Sequence, residues 1–262
     1  MPKHTNYVAK VPDADGYISY TQDEDQVWSD LFARQRPHIA QTCATPYLAG
    51  FARINLPSDR VPQCPDVSQT LRSMTGWQVE PVAALIGFGK FFGMLANKTF
   101  PAASFIRSRQ DFDYIEEPDI FHELFGHTPL LTDPRFAAFS QAIGQAGTKC
   151  EKSDYSWLIR LYWFTIEFGL MREFGEIKAL GSGLASSPEE LRWCVSGEPE
   201  YRPFDVIDIL RTPYRIDIPQ PVYFVLDDLD TLFEAAERDL LADIKTAQSM
   251  GLHAPKFPPK AA

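Results

Sequence analysis

The chain has 262 residues, 45% hydrophobic and 23% charged, the mix of an ordinary globular protein with room for one large domain. A formal net charge of −10 excludes nucleic acid as the main partner, because gripping phosphates takes a lysine- and arginine-rich face. The first residues lack the apolar run of a signal peptide, and the longest apolar stretch, WLIRLYWFTIEFGLM, is broken by Arg160 and Glu167. A cytoplasmic protein is expected.

In chain order, residues 1–20 are polar and read as an irregular arm, 21–252 as a single domain, and the proline-rich 253–262 as a loose tail. Thr21 with Glu24 three residues on makes a capping-box start, and Val27, Leu31 and Phe32 continue it with helical spacing. PDVSQTLRSMTGW predicts a short helix closed by Gly76. GFGKFFGMLANKTF predicts another in spite of its glycines. Asp133 followed by Pro134 marks a further helix start. EKSDYSWLIRLYWFTIEFGLMREF is the longest helical candidate, apolar on nearly every face and therefore central. Ser187 caps SSPEELRWCV with Glu190 three residues on. PFDVIDIL predicts a short helix, PVYFVLDD a strand, and Asp228 to Met250 one amphipathic helix. The sum is a mainly α fold with a few short strands, an α+β single domain.

Four scattered cysteines, Cys43, Cys64, Cys150 and Cys194, have no C-x-x-C spacing and are expected to be reduced thiols. Aromatics make up 13% of the chain, with 19 Phe, so an internal cavity would have aromatic walls.

The stretch HELFGH, from His122 to His127, is one residue longer than the H-E-x-x-H of zinc peptidases. On a regular α-helix, positions five apart stand about 140° apart around the axis, so the two histidines do not point the same way. They converge if the helix stops between them. Gly126 is expected to supply that stop as a left-handed cap, with Pro129 just beyond. Two structural histidines would fit the hexapeptide equally well. Glu167 tips the balance, because a carboxylate inside the most apolar helix needs a partner. Arg160 and Arg172, seven and five residues away, share its helix face poorly. Two histidines and a carboxylate form the facial triad of non-haem Fe(II) enzymes, and His₂Glu suits catalytic zinc as well.

EPDIFHELFGHTPLLTDPRFAAFSQAIGQA and YWFTIEFGLMREFGEIKALGSGLASS resemble the iron core of the pterin-dependent aromatic amino acid hydroxylases, most closely the single-domain bacterial members. The resemblance runs from about Gly50 to Asp228. It implies a monooxygenase that converts L-phenylalanine to L-tyrosine with O₂, Fe(II) and a tetrahydropterin (tetrahydrobiopterin or a related pterin). It implies that His122, His127 and Glu167 hold the iron. The pterin would stack on Phe91 in TGWQVEPVAALIGFGKFF, touch Ala84, Ile86 and Phe88, and lie near Glu123 and Tyr162. Arg107 would bind the substrate carboxylate through its planar guanidinium, with Arg109 as the alternative. Asp119 would orient Arg107 or a ligand histidine. Trp163, Phe168, Gly183 and Ser186 would line the substrate pocket.

Two positions depart from the family pattern: Pro101 stands where animal members have a pterin-side histidine, and Ile115 where they have a substrate-side threonine. The chain is too short for the regulatory domain and oligomerisation helix of animal members, so a monomer is expected. Rival readings are the same chemistry on tryptophan or tyrosine, a zinc hydrolase with Glu123 as general base, and a binding protein without turnover. Ile216, at the expected specificity contact, is apolar and favours phenylalanine. A hydrolase needs both histidines on one helix face, and a binding protein needs no full ligand triad.

Overall fold

The structure, a computed structural model, describes residues 7–83 and 86–259. Among these, helices dominate: α1 (Gln22–Thr42), α2 (Thr45–Ile54), α3 (Cys64–Met74), α4 (Phe88–Ala96), α5 (Thr128–Leu131), α6 (Pro134–Lys149) and α7 (Tyr155–Tyr162), then α8 (Ser182–Ser186), α9 (Pro188–Trp193), α10 (Val206–Arg211), α11 (Asp230–Ala236) and α12 (Leu240–Met250). Strands β1 (Gln78–Val82) and β2 (Thr99–Ala103) form a parallel pair. Strands β3 (Leu170–Glu173), β4 (Glu176–Ala179), β5 (Glu200–Pro203) and β6 (Val222–Leu226) form a mixed sheet in the order β4-β3-β6-β5. The mainly α expectation with a few short strands agrees with this architecture.

Local signals act as the chemistry dictates. The Thr21 hydroxyl accepts the Glu24 N–H while the Glu24 carboxylate accepts the Thr21 N–H, which closes the capping box of α1. Asp133 caps α6 through the Arg135 N–H, and Ser187 caps α9 through the Glu190 N–H. Gly76, at φ +79°, ends α3.

Two expectations fail, and one helix was not foreseen. The longest helical candidate stops at Glu167, because Leu170 and Met171 pair with Val225 and Leu226 in the sheet. Asp228–Met250 is two helices, since the Asp239 carboxylate accepts the N–H groups of Leu241 and Ala242 and starts α12 afresh. Helix α2 carries no N-terminal side-chain cap and has no counterpart in the sequence reading.

One hydrophobic core runs through the described residues. Helix α6 closes on α4 because Gly144 and Gly147 face it without side chains; a Cβ there would stand 2.3 Å from the Ala96 nitrogen and 2.2 Å from Phe92 Cγ. The four cysteines are free thiols. No helix among the described residues is long and apolar enough to cross a membrane. Outside regular structure, residues 251–259 are tied down: Arg211 Nε donates to Gly251 O, His253 pairs with Asp208, Lys256 with Glu200, and Arg215 Nη1 donates to Pro258 O.

Candidate active site

The histidines converge by a different route from a capped helix end. His122–His127 is a π-helical turn that runs directly into α5, and Gly126 is not among the positive-φ residues. In a π-turn the backbone bonds run i→i+5, so residues five apart come round to the same side. The extra residue of HELFGH is absorbed by this widening. Gly126 is needed for packing: a Cβ there would meet Ser182 O at 2.8 Å. A second π-turn, Trp163–Glu167, follows α7, and its Phe168 N–H donates to Trp163 O at 2.8 Å. All three metal-ligand candidates of the sequence therefore sit on widened helix.

The far side of the first turn is clamped by aromatic rings. Phe121 and Phe125 stack at 4.7 Å, Trp28 and Phe32 pack edge-on against them at 5.2 and 5.5 Å, and the Tyr47 hydroxyl donates to Phe125 O. On the near side, His122 and Glu167 line a cavity of about 440 Å³.

His122 Nε2 and His127 Nε2 are 3.2 Å apart, and Glu167 reaches them at 3.6 and 3.1 Å. Ligands at right angles to tetrahedral angles, on bonds of ~2.1 Å, stand roughly 3.0–3.4 Å apart. The donor set fits a divalent metal, and its spacing alone accommodates iron or zinc.

Glu123 is a second carboxylate near the same point, 3.9 Å from His127 Nε2. Electrostatics separates the two. Burial pushes the Glu167 carboxyl up, but the imidazoles of His127 and His122 and the Ser182 hydroxyl outweigh it and hold it at about 2. Burial pushes Glu123 up too, and the charges of Glu167 and Asp119 push the same way, so it lies well above the usual carboxylate range. The two carboxyls are thus pushed in opposite directions, Glu167 toward the ionised form and Glu123 toward the protonated one. Burial also lowers His122 to about 4, leaving a neutral ring.

Neighbouring groups fix the candidate ligands. The Ser186 hydroxyl donates to Ser182 O at 2.9 Å, so toward His122 Nδ1, also at 2.9 Å, it acts as acceptor. The proton then stays on Nδ1 and Nε2 is the free donor atom. Ser182 donates to Glu167 Oε2 at 3.0 Å. Ser182 is absent from the sequence reading; its only signal is the run of small residues in GSGLASS.

Asp119 acts on both of its expected targets. It takes Arg107 Nε and Nη2 at 2.8 and 2.9 Å and accepts the His122 backbone N–H at 3.1 Å. Burial would raise its carboxyl, but the guanidinium outweighs burial and lowers it. Arg107 keeps its other edge for a ligand and lines the cavity. Arg109, the alternative, is half-exposed and pairs with Asp30.

Of the other pocket candidates, Trp163, Phe168, Gly183 and Ser186 all line the cavity with His122 and Glu167, and so do Ile115 and Ile216. The Trp163 ring lies 4.4 Å from both Phe168 and Tyr214. The pterin candidates are less gathered. Phe91 meets Tyr162 edge-on at 5.2 Å, and Tyr162 lies 6.3 Å from the His127 ring. Phe88 is 51% exposed and touches Tyr155, and Ile86 is partly buried. Ala84 lies outside the described residues. Pro101 is buried in β2 opposite Glu80.

Residues 4–247 match the family model described as biopterin-dependent aromatic amino acid hydroxylase. The chain belongs to this hydroxylase family. It is 48% identical to the phenylalanine-4-hydroxylase of Vibrio cholerae, over 98% of this chain and 89% of that protein. The solved apo structure of the cold-active phenylalanine hydroxylase from Colwellia psychrerythraea superposes with a TM-score of 0.94 at 46% identity, covering 98% of this chain and 100% of that one. A Chromobacterium violaceum phenylalanine hydroxylase structure with bound oxidized Fe(III) gives 0.87 at 34% identity, over 95% and 94% of the two chains. A hydroxylase of this family has use for each feature above: a metal face open to a cavity, one free guanidinium edge and aromatic walls.

Proposed function

We propose that this hydroxylase converts L-phenylalanine to L-tyrosine at an iron held by His122, His127 and Glu167, with reduced pterin and dioxygen as co-substrates. The observation that carries the reading is the meeting of two imidazoles and a carboxylate, with His122 and Glu167 lining a cavity that also holds the buried Arg107. When bound, iron and tetrahydropterin together supply the activation of dioxygen, one oxygen atom going to C4 of the substrate ring.

The residues of the chain orient and exclude. The free edge of Arg107 takes the substrate carboxylate, and its locked pair with Asp119 holds that edge in one orientation. Trp163 and Phe168 wall the ring and keep water away. Ser186 keeps the His122 proton on Nδ1. Glu123, whose carboxyl burial pushes toward the protonated form, offers a hydrogen bond to the pterin, and Phe91 offers it an aromatic face. The apolar Ile115 and Ile216 at the cavity favour the unsubstituted ring of phenylalanine. A cytoplasmic monomer completes the reading.

The test is tyrosine formation from phenylalanine with added Fe(II) and tetrahydropterin, against omission of each and against tryptophan and tyrosine as substrates. Product that forms only with all components, and fastest from phenylalanine, supports the assignment. Faster turnover of tryptophan or tyrosine contradicts it.

A further inference from the structure

Gln220, just before β6, is 1% exposed and has every polar group engaged. Its Oε1 accepts Trp163 Nε1–H at 3.2 Å. Its Nε2 donates to Arg215 O at 2.7 Å and Ile218 O at 3.1 Å. Its carbonyl accepts Trp193 Nε1–H at 2.9 Å, and its backbone N–H donates to the Glu190 carboxylate. The Arg215 side chain in turn grips Asp217 and Pro258 O. One amide therefore joins the second π-turn, the turn around Ile216 and helix α9. Each of these contributes cavity wall: Trp163, then Ile216 and Asp217, then Pro188 and Glu190.

Trp163 shows why this matters. Its remaining contacts in the wall are ring faces, Phe168 and Tyr214, which hold it along the stacking direction and leave rotation in its own plane free. The Nε1–H bond to Gln220 stops that rotation. We propose that Gln220 is a positioning residue for the substrate ring, fixing the Trp163 indole against the Ile216 turn and so setting how tightly ring hydroxylation is coupled to pterin oxidation. The inference rests on the reading of this cavity as the amino-acid pocket. The hydrogen bonds of Gln220 reach Trp163, Trp193, Arg215, Ile218 and Glu190 and none of the iron-ligand or pterin candidates, so its removal should act chiefly on the amino acid.

The experiment uses the full-length iron-loaded protein. Gln220→Met keeps the length of the side chain and leaves the Trp163 donor and the Arg215 and Ile218 carbonyls without this partner. It should raise the phenylalanine KM by roughly tenfold. It should also lower tyrosine formed per pterin oxidised by about twofold or more, because a displaced ring misses the reacting centre. Phenylalanine should lose part of its advantage over tryptophan, while iron content and pterin KM stay near wild type. A role confined to stability would lower the melting temperature and move none of these ratios.

Gln220→Glu keeps the acceptor for Trp163 and should shift KM and coupling in the same direction by less. If Gln220→Met does not fold, this variant decides. Wild-type KM and coupling in folded Gln220→Met, or in Gln220→Glu should it be the one that folds, overturns the proposal. Arg107→Lys, run in parallel, tests the pocket itself. A raised KM there with unaltered Gln220 variants sinks only the role of Gln220; an unaltered KM there sinks the pocket reading.

Discussion

Gly126 faces Ser182 so closely that a Cβ on it would stand 2.8 Å from the Ser182 carbonyl oxygen. This contact seats the His122–His127 turn on α8, whose Ser182 and Ser186 hydroxyls bond Glu167 and His122. Gly126→Ala should push the two apart. Overpacking of this kind destabilises by about 1–3 kcal/mol. Because both hydroxyls move with α8, iron affinity should fall alongside the melting temperature. Titration of apo-protein with Fe(II) checks this: wild-type affinity in Gly126→Ala would mean that α8 does not hold the ligands.

Arg107→Lys retains the charge opposite Asp119 and loses the planar fork. A charge-assisted hydrogen bond is worth about 1.5–3 kcal/mol, so the phenylalanine KM should rise by roughly tenfold or more, with pterin KM little altered. Steady-state kinetics with each substrate varied in turn measures both. The same defect in Arg109→Lys and not in Arg107→Lys would transfer the role to Arg109.

Phe91→Ala removes the proposed pterin platform. Aromatic stacking contributes about 0.5–1.5 kcal/mol beyond burial, so pterin affinity should fall by roughly tenfold. Iron content should hold, since no ligand changes, and Phe91→Tyr should lose much less. Calorimetric titration with the pterin decides; equal affinity for Phe91→Ala and wild type would make Phe91 a core residue.

Glu190 gives the fold a pH dependence. Burial, only partly offset by the Tyr223 hydrogen bond, lifts its carboxyl from 4.5 to about 7. A raised folded-state value means that the folded protein binds more protons than the unfolded chain between those limits. This group's contribution therefore falls as pH rises from about 4.5 to about 7 and is level above that. Glu190→Gln removes the titration, so its melting temperature relative to wild type should climb between pH 5 and pH 8. A constant difference across that range would contradict the assignment.

Much of this was legible in the sequence wherever one side chain acts on nearby backbone. The caps at Thr21, Asp133 and Ser187 are of that kind. The candidate ligands were legible from the spacing of HELFGH and from Glu167, which stands out as a carboxylate in an apolar segment. The route to convergence was not. A π-turn depends on what packs against it, here Ser182 and the aromatic rings behind Phe121 and Phe125, and these come from distant parts of the chain. For the same reason Ser182 and Gln220 carried no local signal. Each is defined by partners far away in sequence. The break at Asp239 was visible as a capping residue, but the helical pattern on both sides of it masked the interruption.

The central claim is that His122, His127 and Glu167 together hold the iron on which hydroxylation depends. The most direct measurement is iron stoichiometry and tyrosine formation for His127→Ala, after loading with Fe(II) beside wild type under identical conditions. The account predicts a folded protein that has lost its iron and forms no tyrosine, with Zn(II) restoring activity to neither protein. Stoichiometric iron and full turnover in His127→Ala would contradict it.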